Sequence, residues 1–517
     1  MFTGIKIGMP MCGGGLSMLN QLKLLGNLTF FKDFVSSQVT PNADYSVGVA
    51  TATVTAARDA THPATYVNSL GVVVLTTTAN VLRYQGGYYD RYGFNSLKGF
   101  MIEEAGTNLI PASNNPTDAT WTKTNITASA ADAGSSSPDG TATVPSLTAS
   151  SANGTFLLAS AVTGQTYSVW LKRKTGTGNI QITADGGTTY TTFAPDSTWR
   201  RFSVSASSAS QKCGIKIVTN GDAVYVYGNQ YEDKAYYTSY IPTTAGALGR
   251  VAESIKFANT GNRTAASESI FIRFAPYWNC TSSAGTNRLL ASDTKDRAIH
   301  FDSTLKSFTA YSNKTDDVTD KASQTYQHVH DSSMVFASTF KHSSPYITTY
   351  KDGISQGTYT TDDFTDPAWG TSFYLGSDSS AANQLNGVIQ SVAIYSDAKV
   401  DSTVSSISNI LGISSLPSSY LIIQQYRKNT LASAQRIRLK EPNRNYIIIR
   451  NMETSNIAQV AFTTVNNNDN SSPTTGFTDI NPGEEWYETD STNQVYFRPK
   501  VDGQSVTVEI EVSITRG

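Results

Sequence analysis

The sequence predicts an all-β protein made of tandem antiparallel β-sandwiches of the jelly-roll type. Charged residues form only 15% of the chain, and serine, threonine, asparagine and glycine supply its polarity instead. Tyrosine (27) and phenylalanine (21) are plentiful, and many lie in short alternating runs between turn residues. Aromatic and β-branched residues in such runs favour strands over helices. Because 517 residues exceed one ordinary domain, we expect several sandwiches.

The composition excludes several classes of function. The net charge is −2 without a basic tract, so the sequence predicts no nucleic-acid partner. The sequence has neither a membrane-spanning apolar run nor a secretion signal, so we expect neither membrane insertion nor export by a signal peptide. Cys12, Cys213 and Cys280 are too few and too far apart for a disulfide framework or a zinc site. No nucleotide-binding motif occurs, so we expect no cofactor.

The first two segments are predicted as a short N-terminal anchor (1–35) and a β-rich connector (36–107). The anchor carries leucines at a spacing of three, which indicates a short apolar helix; these are Leu16, Leu19, Leu22 and Leu25. Two interpretations stay open: a virion-anchoring or oligomerisation contact, or a short helix packed on the first sandwich. Within the connector, residues 83–91 resemble a turn-rich connection.

Residues 108–248 are predicted as the first sandwich. In the run 167–172 (YSVWLK) apolar and polar residues alternate, which places Tyr167, Val169 and Leu171 on one face and Trp170 on the other. Residues 215–218 and 224–227 are strand candidates on either side of Asn220-Gly221. That dipeptide is the strongest short hairpin signal.

Residues 266–412 are predicted as the second sandwich and 418–517 as a small C-terminal β module. The run 348–357 (TTYKDGISQG) indicates a hairpin with Asp-Gly at its tip. One short helix is expected near 400–412, because apolar residues recur there at helical spacing; these are Val400, Val404, Ile407, Ile410 and Leu411. Residues 413–417 form a linker.

Several phrases resemble those of bacteriophage virion appendages (tail or head fibres, spikes and collars). Segment 99–110 (GFMIEEAGTNLI) with WTKT at 121–124 resembles the phrase that precedes their jelly rolls. The run 225–232 (YVYGNQYE) with TSYIPTT at 238–244 resembles the end of a carbohydrate-binding-module-like domain. The order of 348–357, FYLGS at 373–377 and LNGVIQSVAIY at 385–395 resembles a concanavalin A-like, laminin-G-type jelly roll. The resemblance implies a virion structural protein with β-sandwich modules.

The acidic and histidine motifs do not predict catalysis. Glu103 and Glu104 are adjacent, and neighbours on a strand point to opposite faces, whereas a glycosidase needs two carboxylates across one cleft. We expect them to accept hydrogen bonds from backbone and arginine donors, and we expect no enzyme activity. His328 and His330 share a strand face, which makes them weak metal candidates, but no third ligand is identifiable. The sequence therefore predicts no metal site.

Aromatic side chains are the candidate ligand surface, since sugars stack their C–H faces on exposed rings. The first candidate is Trp170, on the polar face of its strand. The others lie near turns or strand ends, and they are Trp199, Tyr190, Trp278, Trp369 and Tyr374.

The resemblance implies a fibre- or spike-type appendage that attaches the particle to host-surface glycans. Its expected partners are other virion proteins, copies of itself as a homotrimer or other homo-oligomer, and host polysaccharide. The expected location is the extracellular virion, made in the host cytoplasm and released by lysis. One alternative is a head decoration or collar protein acting in assembly. A second is a polysaccharide-depolymerising spike, which the absence of a repeat disfavours.

Overall fold

The computed structural model of this protein confirms the all-β prediction. Its regular structure is mostly strand in antiparallel sheets, and the described residues include only two helices. It describes residues 18–35, 45–48, 53–55, 61–264, 267–278, 287–293, 297–302, 307–313, 319–325, 333–341, 346–360 and 370–413. Beyond residue 413 it describes only the strands β31–β37, whose bounds are given below.

The described chain begins with helix α1 (Met18–Leu24), and short strands follow it. The chain turns out of α1 at Gly26, where φ is 76°, a conformation that glycine adopts without strain. The next strands are β1 (Leu28–Asp33), β2 (Tyr45–Ser46), β3 (Thr53–Thr55), β4 (Ala64–Val67), β5 (Val73–Thr76), β6 (Tyr84–Asp90), β7 (Gly93–Ile102) and β8 (Gly106–Asn108).

The first sandwich packs two sheets around one core. One sheet has the strand order β10-β11-β18-β13-β16, and the other has β15-β14-β17-β12-β9. Tyr167, Val169 and Leu171 of β13 are fully buried between them, as the alternation predicts. The strands are β9 (Trp121–Thr124), β10 (Ile126–Asp132), β11 (Val144–Ala149), β12 (Gly154–Leu158), β13 (Val162–Thr175), β14 (Ile180–Thr183), β15 (Thr191–Phe193), β16 (Arg200–Gln211), β17 (Gly214–Ile217) and β18 (Ala223–Glu232). Strand β19 (Leu248–Arg250) follows them and pairs with β8 in a separate two-stranded sheet.

The second sandwich takes most of its strands from the chain after residue 253. These are β20 (Ser254–Ala258), β21 (Ser267–Pro276), β22 (Asn287–Ser292), β23 (Arg297–Asp302), β24 (Ser307–Asn313), β25 (Thr319–Thr325), β26 (Met334–Lys341), β27 (Tyr346–Lys351), β28 (Ile354–Thr360), β29 (Ser372–Leu375) and β30 (Gly387–Tyr395). One sheet has the order β2-β1-β30-β21-β26-β27-β28, and the other has β25-β24-β23-β22-β29-β20-β3.

The first sandwich is an insertion into the second. On one side, strand β30 pairs with both β1 and β7, which precede the first sandwich in sequence. Phe30 and Phe100 from those strands lie in the core of the second sandwich. The chain enters the first sandwich through β8 and leaves it through β19, and these two strands pair with each other. The boundaries of the five predicted segments remain a prediction.

Two turn predictions differ from the structure. Residues 84–90 form strand β6 rather than a turn-rich connection. Its glycines serve close packing, because a Cβ on Gly86 would lie 2.1 Å from the backbone nitrogen of Ser69. The turn at Gly221 exists, with a φ of 80°, but it makes no hairpin. The strands on either side, β17 and β18, lie in different sheets.

The predicted hairpin and helix of the second sandwich are present. Strands β27 and β28 pair around Asp352-Gly353, where φ is 47° and 82°, the positive values that a type I′ turn requires. Helix α2 (Asp401–Ile413) buries Val404, Ile407 and Leu411. Val400 precedes the helix and is 65% exposed, so the apolar face begins later than predicted.

A separate C-terminal unit covers residues 413–517. Its described strands form one sheet with the order β31-β36-β33-β34 and another with the order β35-β32-β37. They are β31 (Gln435–Ile437), β32 (Arg444–Asn451), β33 (Ala458–Thr463), β34 (Thr478–Ile480), β35 (Glu485–Glu488), β36 (Gln494–Pro499) and β37 (Val508–Ile514).

Candidate functional site

The Glu103 carboxylate lies in a buried charge cluster and is 2% exposed. It accepts hydrogen bonds from Arg83 Nη2 at 2.9 Å and from the Ser239 N–H and Oγ–H at 2.7 and 2.6 Å. Arg250 Nη1 lies 3.3 Å from it, and Arg83 also donates to Glu253. This matches the expectation that Glu103 accepts from arginine and backbone donors.

Glu103 is held in its charged form. Burial alone would raise its pKa, but the nearby Arg250 and Arg83 and the Ser239 donors together lower the pKa of Glu103 to about 2. A general acid needs a carboxyl group that is protonated near neutral pH, and Glu103 has the opposite tuning.

Glu104 contacts a different set of groups. Its carboxylate accepts from the Tyr236 hydroxyl and pairs with Lys234 Nζ at 2.6 Å. Its backbone N–H donates to Asn386 Oδ1 at 2.8 Å, and Asn386 Nδ2 donates to the Tyr236 hydroxyl at 2.9 Å. The two glutamates therefore point to different neighbours and share no cleft.

Trp170 lies on the predicted face of β13, but it is only 2% exposed. Val67 and Val73, from β4 and β5, pack with it and with Tyr227 and Tyr240. The connector thus covers the outer face of this sheet, and Trp170 is not an exposed platform for a sugar ring.

Arg201 of β16 stacks on the ring of Trp170. Its guanidinium carbon lies 4.1 Å from the Trp170 ring centroid and 4.3 Å from that of Tyr237, so the cation is held between two aromatic faces. It donates to the Thr238 carbonyl at 3.0 Å and to Ser168 Oγ at 2.9 Å. Burial lowers the pKa of Arg201.

An open cleft of about 600 Å³ lies beside this stack. Tyr236 and Tyr237 border it from the first sandwich, Tyr277 from the second, and Tyr92 from the β6–β7 turn. Tyr92 is 69% exposed. Polar groups border the cleft as well, and they include Asp90, Arg91, Arg201, Ser203 and Ser205. Aromatic faces mixed with hydrogen-bonding groups are what a polyhydroxylated ligand requires.

The other predicted aromatics are scattered. Trp278 borders the cleft, but it is 2% exposed and its Nε1–H donates to the Leu385 carbonyl at 2.6 Å. Trp199 donates to the Ser136 carbonyl at 3.0 Å. Lys216 Nζ lies 3.9 Å from the Tyr190 ring centroid, and Tyr374 is half-buried on β29. Trp369 lies outside the described residues.

Sequence reasoning missed the main residues of the cleft. Tyr236 and Tyr237 stand directly before the TSYIPTT run, and Tyr92 stands at a turn between two strands. An adjacent tyrosine pair beside a recognisable loop was a signal that could have drawn attention to them. Nothing local indicated that Tyr277 would face them from the other sandwich.

The predicted leucine stripe packs within the chain. Leu22 is fully buried with residues of β1, β30 and α2, and Leu19 and Leu25 pack against the same cluster. Lys399 Nζ donates to the carbonyls of Leu25 and Gly26, each at 2.8 Å. Leu16 lies outside the described residues. These contacts correspond to the packed-helix interpretation, but the helix packs on the second sandwich and not on the first as predicted.

The described residues contain no group of three or more His, Cys, Asp and Glu side chains arranged to hold a metal ion. His328 and His330 lie outside those residues. Neither helix of the described chain is long enough to cross a membrane.

Comparisons with known proteins find similarity in structure only. No family model matches the chain, and no curated protein matches its sequence. Similar solved structures include the CBM40 domain of a Ruminococcus gnavus sialidase (17% identity, 29% of this chain and 87% of that chain, TM-score 0.25). Domain 4 of a Geobacillus stearothermophilus arabinanase gives 13% identity over 34% of this chain and 82% of that chain, with a TM-score of 0.25. The receptor-binding domain of a botulinum neurotoxin C/D mosaic gives 9% identity over 51% of this chain and 69% of that chain, with a TM-score of 0.27. These scores assign no function to this chain.

Proposed function

We propose that this chain is a subunit of a bacteriophage appendage of the fibre or spike type, and that it binds host-surface glycans in the cleft. The binding role is supported by the cleft itself, which has a volume of about 600 Å³ and is bordered by tyrosines and polar groups. That volume lies within the usual range for ligand sites. The appendage role rests on the resemblance of segments 99–110, 225–244 and 348–395 to phage virion proteins.

We propose binding without cleavage of the glycan. The Glu103 carboxylate pairs with Arg83 and Arg250 and accepts a hydrogen bond from Ser239. The Glu104 carboxylate accepts from the Tyr236 hydroxyl and pairs with Lys234. Neither carboxylate is free to act on a sugar in the cleft. Release of reducing sugar from host polysaccharide by the purified chain would overturn this part of the proposal.

The cleft is tested with Tyr92→Ala. Tyr92 is largely exposed and borders the cleft, so its loss removes a stacking face at little cost in stability. We expect affinity for host polysaccharide, measured by calorimetry on the full chain, to fall roughly two- to tenfold. Tyr359→Ala is the matched control, since Tyr359 is 37% exposed on β28 and does not border the cleft. Equal affinity of the wild type, Tyr92→Ala and Tyr359→Ala for the polysaccharide would contradict the assignment of the cleft as the binding site.

The appendage role is tested on intact particles. Gold-labelled antibodies against the chain should mark a fibre, spike or collar in electron micrographs, and particles that lack the chain should adsorb poorly to the host. Deletion of residues 1–17, or separately of 418–517, should show which end attaches, because loss of the attaching end should abolish incorporation into the particle. Labelling of the capsid surface with normal adsorption would favour a decoration protein instead.

A further inference from the structure

The cleft is bordered by an exposed arginine that forms no ion pair within the described residues. Arg91 stands next to Tyr92 in the β6–β7 turn, and both residues are exposed and border the cleft. The Arg91 guanidinium carbon lies 4.8 Å from the Tyr92 ring centroid, and its Nη2 donates to the Tyr92 hydroxyl at 2.7 Å. This bond uses one of the five N–H donors of the guanidinium group. No salt bridge of the described residues includes Arg91, so its charge is available to a ligand.

Arg201 adds a second positive charge at the border of the cleft. It is 6% exposed, and its Nη1 and Nη2 already donate to Thr238 and Ser168, so we do not expect it to contact a ligand directly. Glu103 and Glu232 attract it electrostatically, but neither glutamate borders the cleft. Salt screens a buried charge less than an exposed one, so Arg201 raises the electrostatic potential at the wall of the cleft.

Asp90 is the one acidic residue among the described residues that border the cleft. Its Oδ1 accepts from the backbone N–H groups of Tyr92 and Gly93 at 2.7 and 3.1 Å, which stabilises the β6–β7 turn. The border of the cleft therefore carries two cations and one anion, and this balance favours a ligand with negative charge.

We propose that the cleft selects glycans that carry an acidic group, a carboxylate or a phosphate, and that Arg91 binds this group while the Tyr92 ring contacts the sugar. A planar guanidinium matches both kinds of anion, because its N–H donors can bind two oxygens at once. This inference rests on the proposed glycan binding and adds the class of sugar that the cleft selects.

The first test compares a host polysaccharide with chemically neutralised forms of itself. Reduction of its carboxylates to hydroxymethyl groups removes one source of charge, and dephosphorylation with cold hydrofluoric acid removes the other. We expect one of these treatments to lower the affinity of the full chain, measured by calorimetry, roughly three- to tenfold, and that treatment identifies the anion. Equal affinity before and after both treatments would overturn the inference and leave the cleft as a site for neutral glycans. No binding of the untreated polysaccharide would instead overturn the proposed glycan binding itself.

Two variants with opposite expected effects test whether the charges of the cleft make the selection. Arg91→Gln removes the positive charge and should lower affinity for the untreated polysaccharide roughly three- to tenfold, with little change for the neutralised form. Asp90→Asn keeps an acceptor oxygen for the turn and removes the negative charge, so it should raise affinity for the untreated polysaccharide roughly two- to threefold.

Lys351→Gln is the matched control, because it removes a positive charge from a side chain that is 38% exposed and does not border the cleft. Thermal melting checks that each variant is folded. If the ratio of affinities for untreated and neutralised polysaccharide is the same in wild type, Arg91→Gln and Asp90→Asn, the assignment of Arg91 is wrong.

Discussion

Replacement of Glu103 by glutamine should destabilise the protein strongly. The substitution keeps the shape of the side chain, removes its charge and turns an NH₂ group toward donors that the carboxylate now accepts from. Arg83 and Arg250 are both fully buried, so they would lose one of their counter-charges in a medium that solvates them poorly.

Two independent arguments give the size of the loss in the free energy of unfolding. Removing one partner of a buried ion pair costs about 3–5 kcal/mol. The lowering of the Glu103 pKa from 4.5 to about 2 corresponds to about 3 kcal/mol of stability at neutral pH. We therefore expect the free energy of unfolding of Glu103→Gln, measured by urea titration at pH 7, to fall by about 3 kcal/mol or more.

The pH dependence gives a sharper test. The folded pKa of Glu103 is depressed, so its contribution is fully present above about pH 4.5, the unfolded value, and is lost as the pH falls toward 2. The stability gap between wild type and Glu103→Gln should therefore narrow between pH 5 and pH 2. Glu104→Gln is the control, because the Glu104 side chain is 33% exposed and such pairs contribute about 1 kcal/mol or less. A Glu103→Gln loss no larger than that of the control, or a gap that does not depend on pH, would refute the reasoning.

Three further predictions concern packing, backbone conformation and thiol reactivity. Leu22→Ala should lower the free energy of unfolding by about 2–5 kcal/mol, because Leu22 is fully buried, whereas Leu24→Ala, at a 74% exposed position, should change it little. Gly353→Ala should destabilise by more than about 1 kcal/mol in a denaturation experiment, since its φ is 82° and a Cβ would lie 2.8 Å from the backbone of α2; Gly412→Ala, with open space around it, should be neutral or stabilising. Burial raises the pKa of the Cys213 thiol, so peptide mapping after iodoacetamide treatment should find Cys213 unlabelled in folded protein and labelled in urea.

Local patterns predicted local structure well. The alternation at 167–172 assigned Tyr167 to the core and Trp170 to the other face, and Asp352-Gly353 marked a true hairpin. In each case the information lies in residues adjacent in sequence, where the side-chain period or the φ preference decides the outcome.

The remaining features depend on contacts that are distant in sequence. Trp170 is buried by Val67 and Val73, which precede it by about a hundred residues. Nothing in the sequence of β13 predicts that these two valines cover its outer face. Strand β7 pairs with β30, almost three hundred residues later. The cleft likewise brings together Tyr92, Tyr236 and Tyr277, which are far apart in sequence. The sequence shows that the chain is rich in tyrosine, but it does not show that these three lie side by side.

The insertion of one sandwich into the other determines how the protein carries mechanical load. Tension applied between Leu28 and Tyr395 reaches the β1–β30 ladder directly, because these two residues are paired neighbours. The inserted sandwich, between β8 and β19, is then outside the path of the force. Antiparallel strands pulled apart from one end separate one hydrogen bond at a time. At that same end Lys399 connects the chain beyond β30 to the Leu25 and Gly26 carbonyls before β1, and this contact must break before the ladder opens.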